Sequence, residues 1–109
     1  MEFRKVTAII RPGTLENVET ALQAMNVPGV SVTRVKGYGE YADFYSPDWM
    51  CTHLRVEVFI GEHRANEIAE SIMGAAHTGM EGDGIVAVLP VESVYHIRTK
   101  QKCLHDACK

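Results

Sequence analysis

The period at which apolar side chains recur along this chain switches between two and 3.6, and the order of those switches restricts the fold more than any other feature. Residues 3–10 alternate, with Val6, Ala8 and Ile10 on one face, as a strand with one buried side does. Arg11-Pro12-Gly13 breaks the run. Leu15, Val18, Leu22 and Met25 then follow helical spacing, with Thr14 as the predicted N-cap, Glu16 in the first turn and Pro28-Gly29 as the stop. Residues 30–38 are rich in β-branched side chains and read as a second strand. Residues 39–50 show no periodicity and read as a long loop, a type of segment that is usually functional or mobile in compact domains. Alternation resumes over residues 51–60, with Leu54, Val56, Val58 and Ile60 opposite His53, Arg55, Glu57 and Phe59, in a strand expected to pair with the second. Ala65, Ile68, Ala69, Ile72, Met73 and Ala76 mark a second helix over residues 62–77, ending near Gly79. Ile85–Leu89 reads as a buried strand, residues 90–94 as a link, and residues 95–99 as a short extended piece before a polar tail. This βαββαβ order, with both helices covering one sheet face, predicts an α+β ferredoxin-like sandwich.

A length of 109 residues supports one domain with little stability to spare, so association between copies would help it. The formal charge of −3 gives no general attraction to nucleic-acid phosphates or anionic lipid, and neither is expected as a partner. The longest strongly apolar run, Ile85–Leu89, stops at Pro90, and no apolar leader follows Met1; no membrane insertion and a cytoplasmic location are expected. Three cysteines are too few for a secreted disulfide framework. Cys103 and Cys108 nevertheless lie close together in the tail. A disulfide closing a short loop, a metal knuckle using His105 or Asp106, and inert thiols are the three readings of that pair.

Two glycine clusters, Gly37-Tyr38-Gly39 and Gly79 to Gly84, could turn backbone amides toward an anion, or could simply make tight turns. The second lacks the Lys-Ser/Thr of a Walker loop and runs from helix to strand rather than strand to helix. Arg34, Lys36, Arg55, His96, Arg98 and Lys100 are cations that could meet phosphate, although solvated surface charge is the commoner fate of each.

Taken together, these segments resemble one family. Residues 29–39, Gly-Val-Ser-Val-Thr-Arg-Val-Lys-Gly-Tyr-Gly, are similar to the approach to the T-loop of PII signalling proteins; residues 76–84 resemble their B-loop, and His96-Ile97-Arg98-Thr99 their last-strand motif. Ala8 to Pro12 matches as well. The resemblance implies a regulatory homotrimer, not an enzyme, with no catalytic residues and no catalytic cofactor, in which an adenine nucleotide binds between neighbours. It divides the chain into residues 1–99, with a T-loop at about 39–50 and a B-loop at about 79–84, and a tail at 100–109. Carried over by position, Ile9, Gly37, Tyr38 and Gly39 would line the nucleotide path, and Gly29, Val30, Ser31, Glu57 and Phe59 would surround the base. Gly82, Asp83 and Gly84 would bring amides to the phosphates, joined by His96 and Arg98.

Departures from the family pattern refine the expectation. The lysine that ordinarily follows the B-loop is Ile85, and the first of two paired arginines is His96. Each charge-assisted contact is worth about 1.5 to 3 kcal/mol, so losing two cations should favour ADP or AMP over ATP. The T-loop is shorter than in nitrogen regulators, the glutamine expected at Glu40-Tyr41 is missing, and the lysine expected before the third strand is His53. These changes remove support for a 2-oxoglutarate site. The short loop, the altered cations and the tail cysteines are similar to members linked with bicarbonate transport and carboxysomes, which implies bicarbonate as a second ligand, Cys103 and Cys108 as a redox pair, and a transporter or other regulated protein as the partner of the T-loop. A metal-responsive protein of a heavy-metal efflux system, drawing on Cys51, His53, Cys103, His105 or Cys108, and a nitrogen-regulatory PII protein stand as alternatives, and slow nucleotide hydrolysis assisted by Glu57 or Asp83 is a further one.

Overall fold

A computed structural model of the chain describes residues 2–37 and 51–105. Strand β1 (Phe3–Ile10) is followed by a single 3-10 turn (Pro12–Thr14), helix α1 (Leu15–Ala24), β2 (Ser31–Gly37), β3 (Cys51–Gly61), α2 (Glu62–Ala76) and β4 (Gly84–Val91). A hairpin of two short strands, β5 (Tyr95–His96) and β6 (Gln101–Lys102), comes after. The four long strands form one antiparallel sheet in the order β2-β3-β1-β4, the ferredoxin-like arrangement.

Register decides which residues make the core. Val6 pairs with Val58 and Val88, Ala8 with Val56 and Val86, and Ile10 with Leu54 and Gly84, so these side chains share one face. Val18 and Leu22 of α1 and Ala65, Ile68, Ala69, Ile72 and Ala76 of α2 close over that face in one cluster. The opposite face carries Lys5, Thr7 and Ile9 beside Phe59, Glu57 and Arg55.

Local details depart from the sequence expectations in several places. Thr14 precedes α1 as expected, but its hydroxyl donates back to the Arg11 carbonyl (2.9 Å) and closes the 3-10 turn instead of capping the helix. Helix α1 stops ahead of Pro28-Gly29, because Asn26 takes a left-handed φ of 55°, a conformation that short polar side chains tolerate. Met73, placed on the core face by its spacing, is half exposed. Strand β4 is also less buried than its apolar run implies. It occupies a sheet edge, and Ile85, Val88 and Leu89 are each about 40% exposed, while Pro90 sits within it, as an edge strand permits. Finally, Ile97 to Lys100 form a turn and not a strand, with Lys100 at φ 57°.

Candidate functional site

Arg34, Leu54, Ile10 and Gly84 form one row across the sheet near its end, and the loop from α2 to β4 lies at that end. Asp83 organises the loop. Its carboxylate accepts the backbone N–H groups of Thr78 (2.8 Å) and Gly79 (3.0 Å), the Thr78 hydroxyl, and Nε of Arg11 (3.0 Å). Arg11 reaches in from the end of β1 and also donates to the Glu81 carbonyl. The Thr78 hydroxyl above all, with the amides and the guanidinium, holds the Asp83 carboxyl far below the usual carboxylate range against the opposing pull of burial. Asp83 is therefore an anion that pre-shapes the loop, with its oxygens turned inward onto loop donors.

Gly84 has a structural duty at this position. Its φ is 110°, and a Cβ there would stand 1.7 Å from the Ile9 carbonyl oxygen. Only glycine lets β4 start this close to β1. Beside it, a cavity of about 390 Å³ is lined by Ile9, Met73, His77, Asp83, Gly84 and Ile85, among others. Three of the sequence-predicted residues, Ile9, Asp83 and Gly84, thus meet in one hollow.

His53 joins the same loop from below. It is 2% exposed, and its Nε2 lies 3.0 Å from the Gly82 carbonyl; because a carbonyl only accepts, Nε2 carries the hydrogen. Alternation puts His53 among polar positions, yet it is buried, paired with Val35 of β2 and in contact with the loop at Gly82. Gly37, buried at the end of β2 and paired with Cys51, belongs to this end of the sheet too. Tyr38, Gly39 and the remainder of the expected T-loop lie outside the described residues, as does Cys108.

The other predicted residues stand elsewhere. Gly29, Val30 and Ser31 lie at the start of β2 and are exposed. Ser31 is paired with Glu57, whose carboxylate meets Lys5 Nζ at 2.9 Å and Arg55 Nε at 3.5 Å, and Phe59 is 49% exposed on the same face. Strands β2 and β4 are opposite edges of the sheet, three inter-strand spacings or about 14 Å apart. Strand β4 runs about 24 Å from Gly84 to its far end, and His96 and Arg98 come after it in the chain. The candidate residues of one protomer therefore fall into separate groups, one around Asp83, one along β2 and β3, and His96 and Arg98 after β4.

Sequence reasoning leaves Arg11 and Thr78 without a role, and places His53 only as a replaced lysine and a metal-ligand alternative, not as a partner of this loop. Arg11 and Asp83 are 72 positions apart, and only the β1–β4 pairing brings them together. Among the described residues no three His, Cys, Asp or Glu side chains form a ready metal cage, and Cys103 is held in a disulfide. Also among the described residues, no helix is long and apolar enough to cross a membrane.

The family described as nitrogen regulatory protein P-II matches residues 3–101. The chain belongs to the P-II family. It is 37% identical over 105 residues to the nitrogen regulatory protein GlnK2 of Haloferax mediterranei, an alignment covering 89% of this chain and 85% of that one. It is 36% identical over 107 residues to the nitrogen regulatory protein P-II of Azospirillum brasilense, covering 92% and 96%. In three dimensions it is similar to the citrate-bound PII protein of Arabidopsis thaliana, with a TM-score of 0.82 and 32% identity over 94% of this chain and 90% of that chain. The protein is thus a P-II-family signal-transduction protein, a regulator and not an enzyme.

Proposed function

We propose that this P-II protein senses cellular energy state by binding ADP or AMP in preference to ATP, in clefts shared between the three subunits of a homotrimer. The observation that carries the reading is that the Asp83 loop and the exposed Gly29–Ser31 segment, both candidate ligand regions, lie at opposite edges of one sheet. A second copy that set its Gly29–Ser31 edge against the Asp83 loop would complete the site, and the exposed Ile85, Leu89 and Phe59 side chains are apolar surface suited to such packing. Gly82 and Gly84 would supply amides to the phosphates, while Ile85 offers an apolar side chain where a cation would otherwise grip a terminal phosphate. Arg11, a permanent cation at this end of the sheet, is committed to Asp83. A shorter phosphate chain leaves anion-binding capacity near Arg98, and bicarbonate occupies it, so that the protein reports inorganic carbon together with energy state. The 39–50 segment carries the signal to a transporter or other regulated protein in the cytoplasm. The Cys103–Cys108 pair, the carboxysome association and the division of the chain at residue 99 belong to the same reading.

Calorimetric titration with ADP, AMP and ATP, each with and without bicarbonate, tests it. ADP or AMP should bind tighter than ATP, and bicarbonate should raise their affinity. ATP binding about tenfold tighter than both would overturn the preference. Sedimentation should give three copies. The names of the relatives favour a second reading, nitrogen regulation, which the family resemblance ties to 2-oxoglutarate with Mg-ATP. Burial of His53 against Gly82 speaks against it, because that side chain offers no exposed cation. Cooperative binding of 2-oxoglutarate and Mg-ATP would establish the second reading in place of the first.

A further inference from the structure

Two successive carbonyl groups of the loop from α2 to β4 are held by side chains that come from elsewhere in the sheet. The Glu81 carbonyl accepts from Arg11, just past the end of β1, and the Gly82 carbonyl accepts from Nε2 of His53, near the start of β3, at 3.0 Å. His53 is 2% exposed and Gly82 is buried too, so water competes little for the second bond. The Gly82 carbonyl and the Asp83 N–H belong to one planar trans peptide unit and therefore point in opposite directions. With the carbonyl drawn onto the buried imidazole, the N–H is directed away from it. Gly82 has a φ of 94°, and a flanking glycine lets a peptide unit turn between its two orientations with little steric hindrance. In the flipped orientation the carbonyl oxygen would face the other way and repel an anion, and the His53 donor would lose this acceptor. The His53 bond therefore selects the orientation that offers an amide, not a carbonyl oxygen, to a ligand.

We infer that His53 is a positioning residue for phosphate recognition: its Nε2–H holds the Gly82–Asp83 peptide so that the Asp83 N–H meets a phosphate oxygen of the nucleotide. This role presupposes the proposed ADP or AMP site and adds to it a side chain that does not itself touch the ligand. His53 acts through the direction of one hydrogen bond, and the reach of that bond is set by side-chain length. The amide nitrogen of glutamine stands as many bonds from Cα as Nε2 of histidine and can donate in its place, whereas that of asparagine is one bond shorter and falls short of the Gly82 carbonyl. The Asp83 carboxylate orders the same loop by separate bonds, to Thr78, Gly79 and Arg11, so the loop keeps those ties when the His53 donor is removed. Adenosine carries no phosphate and makes no use of the Asp83 N–H. The contribution of His53 is therefore confined to phosphorylated ligands.

The test is an NMR titration of the full-length protein with ADP and, separately, with adenosine, on the wild type and on His53→Gln, His53→Asn and His53→Leu. His53→Leu and His53→Asn should bind ADP about tenfold more weakly than the wild type, and His53→Gln should stay within about threefold of it. Adenosine affinity should be the same in all four proteins, an outcome that general loosening of the fold would not give. Circular dichroism and urea unfolding check that each variant is folded. The wild type alone keeps the test valid if the buried position tolerates no change: ADP should move the Asp83 amide resonance, with the His53 Nε2–H retained at saturation. An Asp83 amide that does not move, equal ADP affinity in the wild type and His53→Leu, equal losses for ADP and adenosine, or no rescue by His53→Gln would each overturn the role of His53 while leaving nucleotide binding intact. A wild type that binds no ADP would instead overturn the proposed site, and this role with it.

Discussion

Gly84 and Gly29 sit on the two edge strands or beside them, and both are candidate nucleotide contacts, yet they live under opposite constraints. A side chain at Gly84 would collide with the Ile9 backbone, whereas one at Gly29 would meet nothing within 4 Å. The same contrast runs through the residues around each. Around Gly84 the loop is locked by Asp83, Thr78, Arg11 and His53, all within one chain. Around Gly29 the first four residues of β2 are exposed, as are Gly29, Val30 and Phe59, while Glu57 is half-buried in its ion pairs with Lys5 and Arg55. One group is ordered by contacts within the chain and the other is largely open, the difference expected if the proposed cleft is shared between copies.

The largest effect that tests this contrast is Gly84→Ala. With a contact of 1.7 Å against backbone and a φ of 110°, it should cost about 4 kcal/mol or more, read as a fall in the urea midpoint or failure to fold. A stable, normally folded variant would show that β4 does not start where it is described. Next is Asp83→Ala, which strips the loop of its anion and should cost about 1–2 kcal/mol while weakening ADP binding. Acid should reproduce part of that loss. Because the folded pKa of Asp83 is lowered, its contribution is fully present above the unfolded value of about 3.9 and is lost as the pH falls toward the folded one. Urea midpoints of the wild type should therefore drop below pH about 4 more steeply than those of Asp83→Ala. The smallest effect on stability is expected from Gly29→Trp, within about 0.5 kcal/mol, although that variant should lose ADP binding by filling the base side of the cleft.

Much of the fold was legible because it is periodic. Val6, Ala8 and Ile10, the Val56–Ile60 alternation and the Ala65–Ala76 spacing mark core residues by their period alone. The hairpin of β5 and β6 escaped because two-residue strands carry no period, and its turn depends on a left-handed Lys100 where glycine would be the signal. Strand β4 read as buried because a run such as Ile85–Leu89 records apolar character, not whether the covering surface is in the same chain. The site was half legible for a similar reason. Glycines announce close approach, but the Arg11–Asp83 pair and the His53–Gly82 contact join residues far apart in sequence, and only the sheet register brings them together.

The most direct test of the shared cleft mixes two defective proteins. Asp83→Ala spoils the loop half and Gly29→Trp the base half, and each alone should bind ADP poorly. Co-refolded at equal amounts into mixed assemblies, they should regain ADP binding at about a quarter of the clefts, those pairing an intact loop from one variant with an intact base edge from the other. Calorimetry showing no recovery in assemblies proven to be mixed would contradict the account and place the whole site within one chain.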